Sequence, residues 1–208
     1  KLGSPLFEVI NFYSNKFSEE KILRKYKLKK NNYFIVSFHR EENLLNDTKI
    51  NEFIKIINFI SKNKKYPVLL STHPRLRKIL KKNTLKKKIN RNIRILKPFN
   101  FSEYITLQMS AKLVISDSGS IPEEASILNL NSIILRDTFE RQETFLKTST
   151  IISNLNLNSF KKLFHIESAN LNINKQLKEY ENPNFSKNLC KIIATKIPYI
   201  NKYIWNKN

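Results

Sequence analysis

Residues 113–124 read LVISDSGSIPEE. The opening Leu113, Val114 and Ile115 form a continuous apolar run, as expected of a strand covered on both faces of a sheet. Ser116, Asp117 and Ser118 end it. Gly119 follows, one of only two glycines in the chain, where a tight turn must bring backbone amides close to something. Ser120 then reads as a helix N-cap, Glu123 as its capping-box partner, and Pro122 fits the first turn, where its missing N–H costs nothing. Strand, glycine turn and capped helix in direct succession are the repeating unit of parallel α/β sheets. The new helix points free N–H groups at the sheet's ligand edge, a ready anion site to which Ser118 adds a hydroxyl donor. A well-capped helix with nothing bound is the plain alternative. No Lys-Ser/Thr follows the glycine, which excludes a P-loop.

The same alternation extends in both directions. Short β-branched or aromatic runs stand at 33–39 (YFIVSFH), 67–73 (PVLLSTH), 93–99 (IRILKPF) and 132–136 (SIILR), with 150–153 as a candidate last strand. Helical spacing separates them: Ile50, Phe53, Ile54, Ile57 and Ile60 form one apolar stripe, and Tyr104, Leu107 and Gln108 open another. The expected fold is therefore α/β, a Rossmann-like parallel sheet with helices on both faces. Two helices, at 6–17 and 18–28, precede the first strand, the second opened by Ser18. A short helix at 158–165, a polar segment at 167–184 and a helix at 185–195 with an aromatic tail follow the last. Residues 1–30 form a helical lead-in, 31–165 the ligand-binding domain, and 166–208 a helical tail of that same domain.

Composition narrows the function classes. With 208 residues, 40% hydrophobic and 26% charged, the chain suits a globular domain with a real core. No apolar run approaches the roughly 18 residues of a membrane span, and no signal peptide is seen, so no membrane is expected. The single cysteine, Cys190, excludes an internal disulfide framework and makes reducing cytoplasm the expected compartment. The net charge of +21 is scattered, densest on a helical solvent face at 78–88. It reads as compositional bias first and anion binding second; no nucleic acid is expected, because basic residues neither cluster on one face nor interleave with stacking aromatics.

In an open parallel sheet, ligands bind at the carboxyl ends of the strands. Besides Ser118, Gly119 and Ser120, three polar clusters fall at such junctions. His39 with Arg40 leaves the first strand and suits a phosphate or a proton transfer. His73 and Arg75 flank Pro74, for which helix capping is the competing reading. A run of mixed charge, from Arg136 to Glu143, follows the strand at 132–136, where a solvated loop is the alternative. The histidines are separated and no carboxylate pair has ligand spacing, so neither metal nor cofactor is expected. G-x-S-x-G is absent, which removes the serine hydrolases.

FHREEN, STHPR, SDSGSIPEEA and LRDTFERQE, in this order and spacing, resemble the C-terminal half of the non-hydrolysing UDP-N-acetylglucosamine 2-epimerases, with Gly3-Ser4-Pro5 similar to the family's G-N-P turn. A finer likeness, in GSPLFEVINFYS, LQMSAKLVISDSGSIPEEASILN and the closing IPYINKYIW, is to the branch that forms UDP-N-acetyl-L-fucosamine. The resemblance implies the second half of a GT-B-type two-domain fold that binds a UDP-2-acetamido sugar. It implies that Ser118, Gly119 and Ser120 hold the diphosphate, Glu124 the ribose, and Pro98 and Phe99 the uracil. His39 would be the catalytic residue at the sugar–phosphate junction, with Arg136 and Arg141 at the phosphate end. Arg40 and His73 would belong to a regulatory UDP-sugar site.

Departures matter too. Ser120 stands for a glycine, Glu41 for an arginine common in the main branch, and Phe139 and Gln142 for a threonine and a proline. The implied reaction eliminates UDP to a 2-acetamidoglycal and adds it back with C2 inverted, serving surface-polysaccharide precursors. The carboxylates and lysine of that chemistry lie in the family's N-terminal domain, which would have to be supplied in cis or in trans; a homodimer is a further assembly the resemblance allows. The rivals are a GT-B glycosyltransferase donor domain and a non-catalytic nucleotide-binding remnant.

Overall fold

The computed structural model describes residues 2–62, 66–81, 85, 87–138, 150–168 and 177–206. Its centre is a parallel sheet of β1 (Phe34–Ser37), β2 (Val68–Ser71), β3 (Ile93–Leu96), β4 (Leu113–Ser116), β5 (Ser132–Leu135) and β6 (Thr150–Ser153). The strands lie in the order β3-β2-β1-β4-β5-β6. The chain winds outward from β1 to one edge, returns to β4 beside β1, and winds to the other edge. The β1/β4 seam is thus the topological switch point, where such sheets open a crevice.

Alternate residues of β1, β2, β4 and β5 feed two cores. Phe34, Val36, Val68, Leu70, Ile115, Ile133 and Leu135 face one layer, with α4 (Asp47–Ser61) and α8 (Leu157–Ser168) supplying Phe53, Ile57, Phe160 and Phe164. Ile35, Leu69, Val114 and Ile134 face the other, against α6 (Phe101–Met109) and α7 (Ile121–Leu128) through Leu107, Ile121 and Ala125. Burial on both faces is what made these strands continuous apolar runs. Phe38 just past β1 stacks on Phe53 at 4.1 Å between ring centroids, which fixes how the chain leaves the strand.

The lead-in is α1 (Pro5–Tyr13), a 3₁₀ turn at Ser14–Lys16, and α2 (Glu19–Tyr26). The first helix is shorter than its apolar pattern predicts because the chain tightens at Ser14. Gly3 takes φ +80°, and a Cβ there would meet Asn182 Cβ at 3.0 Å, so glycine is required by both conformation and space. The last helix departs from expectation in the opposite direction: α9 (Phe185–Tyr203) runs straight through Pro198. The Thr195 hydroxyl donates to the Lys191 carbonyl at 2.7 Å just before the proline, and Tyr199 and Tyr203 pair one turn apart at 5.0 Å just after it.

Candidate functional site

β1, β2 and β4 all end in serine, and the register aligns Ser71, Ser37 and Ser116 in one row across the carboxyl edge. The Ser37 and Ser116 hydroxyls are 2.7 Å apart, the Tyr104 hydroxyl of α6 reaches Ser37 at 3.0 Å, and Ser116 Oγ accepts from the Ser118 amide at 3.0 Å. Of these, Ser37, Ser71, Tyr104 and Ser118 line a cavity of about 240 Å³, with Ser116 buried behind them. Its walls carry His39, His73, Pro98, Phe99, Ser118, Ser120 and Glu124. Seven of the expected residues therefore meet at the switch point. The cavity also has an aromatic side, with Phe99 over Tyr104 at 6.2 Å and nearly parallel.

Gly119 and Arg136 stand behind this wall. A Cβ on Gly119 would lie 3.3 Å from Arg136 Nη1, so the glycine lets the guanidinium approach without displacement. Arg136 is buried, and it lines a second hollow of about 160 Å³ with Arg40, Asn43, Lys49 and Asp137. Arg40 and His73, expected to share one regulatory site, thus line different hollows. His73 additionally caps α5 (Pro74–Leu80), its Nδ1 accepting from the Arg75 amide at 3.4 Å, which bears out the capping alternative. Arg141, like Phe139 and Gln142, lies outside the described residues.

The turn into α7 corrects one expectation. Ser120 occupies the N-cap position but in helical conformation (φ −83°, ψ −18°), so its hydroxyl does not reach back to the helix amides. It donates instead to Glu124 Oε1 at 2.6 Å, and it touches the Ser118 hydroxyl at 2.9 Å. Nor does Glu123 close a capping box. Its carboxylate accepts from the hydroxyl of Ser4, the residue that caps α1. Glu123 is thus a fastener between α7 and the lead-in.

Glu124 is its counterpart on the cavity side. It is 8% exposed, and its other oxygen accepts from Gln108 Nε2 at 2.6 Å. Burial pushes this carboxyl above its ordinary range, against the opposing hydrogen bonds from Ser120 and Gln108. A buried acceptor at the cavity wall suits paired hydroxyl donors on a ligand.

The fully buried Asp117 was not among the expected site residues. It accepts from the amides of His39 at 3.0 Å and Arg40 at 2.9 Å, from Asn43 Nδ2 at 3.1 Å, and pairs with His39 Nδ1 at 3.2 Å. Burial presses its carboxyl upward, but these hydrogen bonds outweigh it and the net shift is downward. The hydrogen bond to Asp117 in turn raises His39 above the usual imidazole range, against burial. One signal was available in sequence: an acid directly after a strand, beside the junction that carries His39.

Among the described residues, no group of three or more His, Cys, Asp or Glu is placed to hold a metal, and no helix is long and apolar enough to cross a membrane.

Several known epimerases are similar to this chain. The UDP-N-acetylglucosamine 2-epimerase of Methanococcus maripaludis is 36% identical over 127 residues, covering 60% of this chain and 35% of that protein. The structure of UDP-N-acetylglucosamine 2-epimerase from Rickettsia bellii matches with a TM-score of 0.80 at 29% identity, over 96% of this chain and 54% of that one. The Methanocaldococcus jannaschii UDP-GlcNAc 2-epimerase, in complex with UDP-GlcNAc and UDP, matches with a TM-score of 0.74 at 28% identity, over 85% of this chain and 49% of that one. The chain spans about half the length of these solved relatives, as one Rossmann-like half of a GT-B-type fold. The family model for UDP-N-acetylglucosamine 2-epimerase matches residues 1–194, and the chain belongs to that family.

Proposed function

We propose that this chain is the nucleotide-binding half of a UDP-2-acetamido-sugar 2-epimerase. The observation that carries the reading is the switch-point cavity, which joins the Ser118–Ser120 turn, the buried Glu124 acceptor, the His39 imidazole and an aromatic side at Phe99 in one hollow. In this reading residues 31–165 are the UDP-binding unit, with 1–30 and 166–208 part of the same domain. Diphosphate oxygens take the hydroxyls and first-turn amides at Ser118, Gly119 and Ser120, where the helix dipole favours negative charge. The ribose hydroxyls donate to Glu124, displacing the Ser120 hydroxyl. The uracil lies along Pro98 and Phe99, and Arg136, pressed against Gly119, supports the phosphate end together with Arg141.

The reaction is removal of the C2 proton as the C1–O bond to UDP breaks, giving a 2-acetamidoglycal, then re-addition of UDP after protonation from the other face. This half stabilises the departing diphosphate with preorganised donors, and His39 is the residue that meets the charge developing on the leaving oxygen. The proton at C2 is handled by carboxylates and a lysine of a first-domain half, supplied in cis or in trans. Family membership supports an epimerase over a glycosyltransferase donor domain. The further assignment to the UDP-N-acetyl-L-fucosamine branch and to surface-polysaccharide precursors rests on the likeness in GSPLFEVINFYS, LQMSAKLVISDSGSIPEEASILN and IPYINKYIW.

Proton exchange at C2 in D₂O, followed by NMR, tests the division of labour. The chain alone is expected to bind a UDP-2-acetamido sugar without exchanging C2, and exchange is expected once a first-domain half is supplied. Deuterium uptake by the chain alone would refute the placement of the acid–base groups. No uptake with both halves present would favour a non-catalytic nucleotide-binding module.

A further inference from the structure

We propose that Asp117 is a positioning residue that presents His39 to the bound diphosphate as an imidazolium, so that sugar-nucleotide binding at this site is linked to a proton. The inference rests on the reading of the cavity as a sugar-nucleotide site and names how that site is regulated by pH.

The geometry separates two roles of Asp117. Its hydrogen bonds from the Arg40 amide and Asn43, at 2.9 and 3.1 Å, tie the turn after β1 to the end of β4. Those contacts would hold the backbone with any side chain at position 39. The contact from His39 Nδ1 to Asp117 Oδ1 at 3.2 Å is additional, and it fixes the imidazole. With Nδ1–H committed to a carboxylate, Nε2 is the ring nitrogen left for a ligand. The His39 side chain is 44% exposed and lines the cavity together with Ser118 and Ser120.

In the neutral ring, Nε2 is a lone-pair acceptor and meets a phosphate oxygen unfavourably. In the imidazolium it is a charged donor and meets that oxygen well. A diphosphate therefore selects the protonated ring, and Asp117 determines how much of it is present beforehand.

The charges around the ring favour this. Asp117 from the end of β4 and Glu124 from α7 both stabilise the imidazolium, while Arg40, next in the chain, opposes it. His73, from the β2–α5 junction, lines the same cavity, and Tyr104 of α6 contributes a phenol whose burial keeps it neutral. The hydrogen bond to Asp117 is the largest influence on His39 and acts upward.

The test has two arms. In the free chain, the His39 ring is titrated by NMR and assigned with His39→Gln. It is expected to titrate above the usual value of about 6.5, and Asp117→Asn is expected to lower it by about one unit or more. In the second arm, UDP-N-acetylglucosamine binding is measured by calorimetry in EDTA between pH 6 and 9. This ligand is chosen because its diphosphate is a diester with no ionisation in that range. Wild-type affinity is expected to fall on the order of tenfold as pH rises through the His39 transition, as for loss of one charged hydrogen bond. His39→Gln is expected to lose that slope, and Asp117→Asn to move it to lower pH. A ring that titrates normally and is unmoved by Asp117→Asn would overturn the proposal, as would a wild-type slope retained in His39→Gln. If Asp117→Asn does not fold, the wild-type and His39→Gln titrations and profiles decide alone. Failure of every variant to bind at any pH would refute the sugar-nucleotide reading itself, while the ring titration still decides whether Asp117 governs His39.

Discussion

The carboxyl edge of β1 and β4 and the outer surface of α9 are both open to solvent, yet opposite chemistry builds them. At the edge, the polar groups of the proposed site are backed by second ones: His39 by Asp117, Ser37 by Ser116 and Tyr104, Glu124 by Gln108 and Ser120. Along α9 no described residue is buried, and Leu189, Ile192, Ile193 and Ile197 lie on the surface. One tie to the body of the chain is Ser186, whose amide and hydroxyl both donate to Glu8 at 2.8 Å. Accessible area alone does not mark a site. What distinguishes the edge is that its accessible groups are held by buried partners, so perturbing the partners should move stability and binding together. Perturbing α9 should move neither.

The strongest way to break this contrast is Asp117→Asn. An amide cannot accept from all the donors that surround Asp117, and the variant should lose about 3 kcal/mol of stability in urea unfolding at neutral pH. Because the folded Asp117 lies below its ordinary value of 3.8, its contribution is in place above that pH and is lost as pH falls through the folded value. The wild-type advantage should therefore shrink in acid; a constant difference would show that Asp117 is not an ionised hub.

The adjacent glutamates sharpen the contrast. Glu124→Ala should weaken UDP binding by about 1.5–3 kcal/mol, whereas Glu123→Ala should lower the melting temperature through loss of the Ser4 contact and change affinity less. Glu124→Gln separates the terms further. A raised folded pKa means that the buried charge destabilises the fold increasingly as pH rises from 4.5 through the folded value. Glu124→Gln should then be more stable than wild type at neutral pH while binding UDP more weakly. A variant both less stable and weaker in binding would mean that Glu124 is structural.

Much of this was legible in the sequence, for identifiable reasons. Strands buried on both faces leave continuous apolar runs, and a glycine between a strand and an acidic helix start marks a ligand edge. The roles of the acids around that glycine were not legible. Glu123 looks like a capping residue because Ser120 stands three positions before it, but its partner Ser4 is 119 positions away. Asp117 shows only its place directly after a strand, since its donors come from β1's exit and α3 (Glu41–Leu44), more than 70 positions away. Gln108 and Tyr104 read as part of a helical stripe, and only packing shows that they support Glu124 and Ser37.

Smaller effects should follow at Gly119 and α9. In Gly119→Ala the new methyl stands 3.3 Å from Arg136 Nη1 and displaces the guanidinium by a few tenths of an ångström. The expected loss is about 1 kcal/mol of stability, with weaker UDP binding in the same titration. Ile193→Ser and Ile197→Ser, at 46% and 50% exposure, should each change this chain's unfolding free energy by no more than about 0.5 kcal/mol. A larger loss would mean that α9 is packed by something the edge-and-surface contrast leaves out.

The central claim is that the β1/β4 edge binds a uridine nucleotide through protein groups alone, and calorimetry with UDP in excess EDTA addresses it most directly. Wild type and Glu123→Ala are expected to bind, and Glu124→Ala to bind at least tenfold more weakly. Binding only when a divalent ion is restored, or equal affinity in all three proteins, would contradict it.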